Sequence, residues 1–167
     1  YPVVTPLAVD SGHPFPFLAN NTINAIVRIF QVQPDGTKDY KIAILPIPSV
    51  LDRIIEVPSS SNKEHRFVYL EDVISYYAIQ FFQGYGIEEA MIFRLTRDAD
   101  LEIDEEDAKD LLTEVEASLR RRRRGDAVRL EVVGGGSPEL LRTVLASVEL
   151  EEKDVYHIDG HLDCRMY

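Results

Sequence analysis

Five consecutive arginines, Arg120–Arg124, form the densest group of positive charge in the chain. Guanidinium groups chelate phosphate oxygens two at a time, so this run could hold a phosphate chain. Because successive helical residues point about 100° apart, only two or three of the five could share one face. A solvated last helical turn, whose cations stabilise the helix dipole, explains the run equally simply. We favour the helix end, and a phosphate contact through Arg120, Arg121, Arg123 and Arg124 stays open as the alternative.

Acidic residues crowd the segment Asp98–Asp107, which superficially resembles a cation-binding loop. An EF-hand loop needs a glycine at its sixth position. Counted from Asp98 that position is Ile103, and counted from Asp100 it is Glu105, so the turn glycine is missing. The run is typical of a strand end followed by the acidic first turn of a helix.

A glycine loop, Gly134–Gly136, precedes Ser137 between a predicted strand and a predicted helix, where a phosphate-binding loop would lie. No lysine follows the glycines as it does in a P-loop, and their spacing does not match the dinucleotide-binding pattern. The stretch therefore predicts a plain turn.

The C-terminal stretch carries His157, Asp159, His161, Asp163 and Cys164, whose spacings a zinc site could use. Single histidines and cysteines usually have no ligand role, and we assign none here.

The two other histidines, His13 and His65, are isolated from residues that would form a nucleophile and base pair. A Ser/His/Asp set is recognised by its geometry, which the sequence does not supply. We predict no catalytic residue, metal site or cofactor site within the chain.

The elements that must position these residues follow from composition and periodicity. Seven segments have strand composition, and we predict strands at 23–30, 40–45, 53–57, 66–69, 90–96, 128–133 and 155–158. Amphipathic helices are predicted over 70–82, over 105–123 and from Ser137-Pro138 onward. The element order predicts an α+β fold, with a mixed sheet of roughly six or seven strands covered by about three helices.

Residues 1–21 contain four prolines, each of which restrains its predecessor to extended geometry. The same stretch carries apolar anchors at Val3, Val4, Leu7, Phe15 and Phe17. We predict an extended arm that belongs to the same domain as residues 22–167.

The formal net charge of −11 argues against nucleic-acid binding, which needs a basic surface. The longest apolar stretches, 42–45 and 78–82 with Gln80 inside it, are far shorter than the ~20 residues of a membrane span. Cys164 is the single cysteine, which suits a reducing compartment. We expect a cytoplasmic protein without a nucleic-acid partner or a membrane span. Because the chain opens on Tyr1 rather than methionine, we also expect it to be one part of a longer protein.

Three stretches resemble the polyphosphate kinase family. The first is PLAVD at 6–10 with HPFPF at 13–17, and the second is RFVYLEDVI at 66–74. The third and most specific is FRLTRDADLEIDEE at 93–106, which continues through the arginine run to VRLEV at 128–132. The match runs in order through nearly the whole chain, with local departures at Ser11-Gly12, at Gly134–Gly136 and after Leu162. The chain thus resembles the middle, or head, domain of that family.

This resemblance implies an enzyme that reversibly transfers the terminal phosphate of ATP to inorganic polyphosphate, using Mg²⁺ and a phosphohistidine. In the family the phosphohistidine lies in later domains, and an asparagine that meets the nucleotide lies in the preceding one. His13, His65, His157 and His161 do not match the phosphohistidine motif. We therefore expect the fragment alone to be inactive, with ATP and Mg²⁺ belonging to the full-length enzyme.

The resemblance also implies a role for the domain in dimer contacts and in packing against the catalytic domains of the same chain. The full-length enzyme is expected to be a cytoplasmic homo-oligomer, with membrane association of the full-length complex left open. The alternative role is to grip polyphosphate through Arg120–Arg124, joined by Arg94, Arg97 and Arg129.

Overall fold

The structure, a computed structural model, describes residues 3–58, 63–98, 125–134 and 137–163 of the 167-residue chain. The described part contains eight strands, two α-helices and two 3-10 turns. The strands are β1 (Leu7–Val9), β2 (Ile23–Val32), β3 (Lys38–Pro46), β4 (Ile54–Val57), β5 (Arg66–Tyr69), β6 (Gly86–Arg97), β7 (Ala127–Val133) and β8 (Val155–Ile158). The helices are α1 (Leu70–Tyr76) and α2 (Pro138–Val148), and the 3-10 turns span Ala78–Phe81 and Glu152–Asp154.

Six strands form the main sheet in the order β1-β3-β2-β6-β7-β8, and β4 pairs only with β5 in a separate two-stranded sheet. All neighbours are antiparallel except β7 and β8. The hairpin of β2 and β3 turns at Pro34-Asp35-Gly36, where Gly36 has a φ of 85° that glycine tolerates without steric cost. The Asp35 carboxylate accepts hydrogen bonds from the amide and hydroxyl of Thr37 and stabilises this turn.

The parallel pair β7 and β8 is joined through α2, because parallel neighbours need a crossover connection. Ser137 caps this helix, since its hydroxyl accepts a hydrogen bond from the amide of Leu140. Pro138 occupies the first turn, and Glu149 ends the helix in the left-handed region with a φ of 59°.

The central strands are buried on both faces of the main sheet, and alternate residues of one strand enter different clusters. On the face covered by α2 the core contains Ile26, Ile44, Phe93, Leu130 and Leu140. The opposite face packs against α1 and the first 3-10 turn, and its core residues are Ala25, Val27, Ala43, Leu45, Leu70, Ile74 and Ala78. The molecule is therefore a sheet between two helical layers.

The prediction of an α+β fold with a mixed sheet is confirmed, and all seven predicted strands are present, those at 66–69 and 155–158 with the predicted ends and the other five with shifted ends. The sheet prediction needs one correction, because β4 and β5 form their own small sheet rather than joining the main one. A strand not predicted, β1, lies within the N-terminal arm and pairs with β3. Leu18 of the arm is also buried in the core beneath α2, so the described arm packs on its own chain; the boundary at residue 21 stays a prediction.

The predicted helix over 70–82 is wrong in extent. It ends as an α-helix at Tyr76 and continues, after Tyr77, as the 3-10 turn Ala78–Phe81. Aromatic and β-branched residues around this break have lower helix propensity than straight-chain ones, which reduces the cost of leaving the α-helix. The predicted helix over 105–123 lies outside the described residues, so the described part has two α-helices where about three were expected. Neither described helix is long and apolar enough to cross a membrane.

Candidate functional site

The face of the sheet opposite α2 carries a charged cluster over β6 and β7. Arg94 and Glu131 are cross-strand neighbours in the antiparallel register, and the Arg94 Nε atom lies 2.5 Å from a Glu131 carboxylate oxygen. The other carboxylate oxygen of Glu131 lies 3.0 Å from Nη2 of Arg129. Glu131 is buried, so its charge depends on these two arginines for compensation.

A second ion pair lies at the start of α1. Arg53 donates from Nε and Nη2 to the carboxylate of Glu71, with a shortest distance of 2.6 Å. Glu71 is only 2% exposed, and it lies in the first helical turn, where the helix dipole favours a negative charge. This fork-shaped contact is the bidentate geometry that arginine and carboxylate groups prefer.

Both ion pairs hold the same C-terminal segment. The Arg53 guanidinium also donates to the carbonyl oxygens of Leu162 and Asp163. The Asp163 carboxylate lies 2.9 Å from Nη1 of Arg94. Leu162 itself is 1% exposed. We call Gly160–Asp163 the exit segment, because it is the last described stretch of the chain.

His161 of the exit segment packs on the start of α1. Its ring stacks on Tyr69 with centroids 3.7 Å apart, and its Nε2 atom lies 3.8 Å from a carboxylate oxygen of Asp72. The Arg53 guanidinium also lies 5.4 Å from the centre of the Tyr69 ring. Tyr69 is thereby in contact with both the exit segment and the cation that holds it.

The two ion pairs and the Asp163 carboxylate together form one cluster, which we call the charged cluster from here on. Burial by itself would lower the pKa of Arg94, but the hydrogen bond and negative charge of Glu131, together with Asp163, outweigh it and raise that pKa. The three cations Arg53, Arg94 and Arg129 face the three carboxylates of Glu71, Glu131 and Asp163. With its charges matched in this way, the cluster is suited to holding chain segments together and poorly suited to binding a polyanion.

Arg97 differs from the three arginines of the charged cluster, because its guanidinium donates to backbone carbonyl oxygens rather than to a carboxylate. Its Nε donates to Leu18 and its Nη1 to Gly125, while the ring of Phe17 lies 4.5 Å below the guanidinium carbon. Burial lowers the pKa of Arg97, and the charge of Asp126 partly offsets this effect. Arg97 thus ties the arm to the segment before β7.

The structure separates the residues of the possible zinc site. The ring Nδ1 of His157 contacts the Gly134 carbonyl oxygen, His161 stacks on Tyr69, and Asp163 faces Arg94. Among the described residues no three histidine, cysteine or acidic side chains form a group that could hold a metal ion. Cys164 lies outside the described part of the chain.

The arginine run, the acidic run and the glycine loop lie wholly or mostly outside the described residues. Arg120, Arg121, Arg123 and Arg124 all lie outside the described residues, as does the acidic run beyond Asp98. Gly134 follows β7 with a φ of 61°, and its amide donates to the carbonyl oxygen of Ile158. The remaining loop glycines fall in the undescribed gap.

Arg94 and Arg129 were predicted only as possible polyphosphate contacts, and their pairing with Glu131 was not predicted, although one signal for it exists in the sequence. Arg94 lies between Phe93 and Leu95, and Glu131 lies between Leu130 and Val132. In each strand a charged residue alternates with buried apolar ones, which indicates a polar patch on the second face. No local pattern indicates the link from Arg53 to the exit segment more than a hundred residues away.

The sequence is similar to known proteins over its whole length. Residues 1–167 match the family model described as polyphosphate kinase middle domain. A polyphosphate kinase of Halalkalibacterium halodurans is 43% identical over 164 residues, which are 98% of this chain and 23% of that protein. A polyphosphate kinase of Bacillus cereus is 42% identical over 165 residues, with the same two coverages.

A solved structure supports the fold. The crystal structure of the polyphosphate kinase from Porphyromonas gingivalis aligns with a TM-score of 0.70 over 96% of this chain and 22% of that one, at 21% identity. The chain therefore spans less than a quarter of the length of these relatives.

Proposed function

The chain belongs to the polyphosphate kinase family as a middle domain, and we propose that its role in a full-length enzyme is structural. In this proposal the domain takes part in dimerisation and packs against the catalytic domains of its own polypeptide. It contributes no group to the chemical step.

The pairing of the charged side chains carries this proposal. In the cluster the guanidinium groups of Arg53, Arg94 and Arg129 face buried or half-buried carboxylates or backbone carbonyl oxygens. Phosphoryl transfer needs cations directed at phosphate oxygens, because its catalysis is almost entirely positioning and electrostatic stabilisation. A charge-balanced cluster that holds the exit segment instead serves to orient one part of a polypeptide relative to another.

The longer enzyme supplies the chemistry in this proposal. It transfers the terminal phosphate of ATP reversibly to polyphosphate in the cytoplasm, with Mg²⁺ and a phosphohistidine outside residues 1–167. The fragment alone is then inactive, because it lacks the phosphorylated side chain and the nucleotide site.

Mapping the phosphorylated residue in the full-length enzyme tests the proposal. After incubation with γ-labelled ATP, we expect all acid-labile label outside residues 1–167. A matched variant with His13, His65, His157 and His161 replaced by glutamine should keep full labelling. Label on one of these four histidines, or its loss in a variant that remains folded, would contradict the non-catalytic role.

A second candidate function is a polyphosphate grip through Arg120, Arg121, Arg123 and Arg124. The density of positive charge in this run, within a chain of net charge −11, is the observation that favours it. Titration of long-chain polyphosphate into the full-length enzyme and its Arg121→Ala/Arg123→Ala variant, at two salt concentrations, separates the two roles. A grip predicts weaker binding with a flatter salt dependence in the variant, whereas a helix end predicts no change.

A further inference from the structure

In the described part of the chain, one of the two faces of the hairpin of β4 and β5 is largely exposed. Residues directly opposite each other in the hairpin are Ile54 with Tyr69, and Glu56 with Phe67. Because side chains alternate along a strand, these four residues lie on one face, which we call the outer hairpin face. On the other face, Ile55 packs against the core beneath α1.

The outer hairpin face exposes large apolar groups. Ile54 is 51% exposed and Phe67 is 57% exposed. The imidazole of His65 stacks beside Phe67 with ring centroids 6.5 Å apart, and its Nδ1 lies 2.7 Å from the carboxylate of Glu56. A two-stranded sheet is at best marginally stable alone, so covering this face would stabilise the hairpin as well as bury the rings.

We propose that the outer hairpin face is the docking surface for the part of the full-length polypeptide that follows residue 167. This inference rests on the proposed packing role. It assigns that role to the outer hairpin face and names the later polypeptide as the part that packs there.

The position of the exit segment supports this occupant. His161 stacks on Tyr69, which belongs to the outer hairpin face, and Arg53 holds the carbonyl oxygens of the next two residues. The later chain starts at residue 168, five residues beyond Asp163, so at about 3.3–3.6 Å per residue it starts within roughly 18 Å of it. A tether this short gives the later part a high effective concentration at the hairpin. A middle domain of the family, at less than a quarter of the relatives' length, has further chain to dock.

Charge disfavours a second copy of this domain as the occupant. Each copy carries a formal net charge of −11, so a second copy would bring no complementary charge to this face, and the proposed dimer contacts use other surfaces of the domain. A part of the enzyme that binds ATP and polyphosphate needs a basic surface, which complements this acidic domain.

Photocross-linking in the full-length enzyme tests the proposal. One variant carries p-benzoylphenylalanine in place of Phe67, and a matched control carries it in place of Val32, which is 60% exposed on β2. Mixing isotope-labelled and unlabelled chains before irradiation distinguishes cross-links within a chain from those between copies. We expect position 67 to give about tenfold more product than position 32, and we expect its peptides to lie after residue 167 of the same chain.

The other outcomes overturn the inference. Products between copies, products with residues preceding this chain, or equal yields from the two positions would each show that the outer hairpin face does not receive the later chain. Products from position 32 alone would leave the packing role intact and move it to another surface. A third probe replaces Val128, which is 47% exposed on β7. The absence of products from all three positions would count against the packing role itself.

Discussion

The two faces of the main sheet over β6 and β7 are formed by adjacent residues of the same strands, but different interactions stabilise them. On one face Phe93 and Val132 enter a continuous apolar core beneath α2. On the other face their neighbours Arg94 and Glu131 form ion pairs that extend to the exit segment. Apolar burial is non-directional, whereas paired charges require one geometry.

This difference separates stability from positioning. Over β6 and β7, the apolar face contributes more to the free energy of folding than the charged face, because burial of hydrocarbon is the dominant favourable contribution. The ion pairs contribute less net free energy, since the cost of desolvating the charges offsets much of their attraction. We infer that the main role of the ion pairs on the charged face is to position the exit segment. The following variants compare this role with the stabilising role of the apolar face.

The largest expected effect is on the apolar face. Phe93→Ala removes a fully buried ring and should lower the free energy of unfolding by about 3–5 kcal/mol, measured by urea denaturation of the chain. Val128→Ala, at a half-exposed position of β7, is the matched control and should change stability by less than about 0.5 kcal/mol. Comparable losses in the two variants would mean that this face is not the main source of stability.

A smaller and non-additive effect is expected on the charged face. Glu131→Ala leaves two arginines without their shared carboxylate and should cost about 2–3 kcal/mol, less than a fully isolated buried charge because Asp163 still faces Arg94. Combining Arg94→Met with Glu131→Leu should recover part of that loss, since replacing a buried ion pair by apolar groups is often neutral, but Asp163 and Arg129 then each lose a partner.

Urea denaturation of Glu131→Leu, Arg94→Met and the variant that carries both substitutions measures the coupling. Strictly additive losses across this cycle would show that the two side chains do not act as a pair.

The smallest effect concerns the attachment of α2 to the apolar face. Ser137→Ala removes the hydroxyl that accepts from the Leu140 amide and should cost about 1 kcal/mol. Ser147→Ala, at an exposed position of the same helix, is the control and should cost less, because its hydroxyl only contacts the Thr143 carbonyl oxygen. Thermal melts of both variants decide whether the cap matters.

Much of the fold could be predicted from local patterns. The turn at Pro34-Asp35-Gly36 and the Ser137-Pro138 helix start are encoded by neighbouring residues, and both are present in the structure. The strand β1 was not predicted, because three residues in a proline-rich arm become a strand only through pairing with β3.

The link between the charged cluster and the exit segment could not be predicted for a related reason. Arg53 and Leu162 are 109 positions apart in the sequence, and their contact is created by the topology rather than by any periodicity. The charge of the arginine run is local in the sequence, whereas the cluster is distributed over the residue before β4, α1, β6, β7 and the exit segment. Sites assembled from distant elements are where reasoning from sequence patterns is weakest.

Hydrogen–deuterium exchange of the exit segment in the full-length enzyme tests the central claim most directly. Arg53→Ala removes the donors to the Leu162 and Asp163 carbonyl oxygens, whereas Arg142→Ala removes an exposed contact on α2 and is the control. We predict faster exchange in peptides covering 160–163 for Arg53→Ala, and unchanged exchange there for Arg142→Ala. Unchanged exchange of 160–163 in the Arg53 variant would contradict the claim that the charged face holds the exit segment.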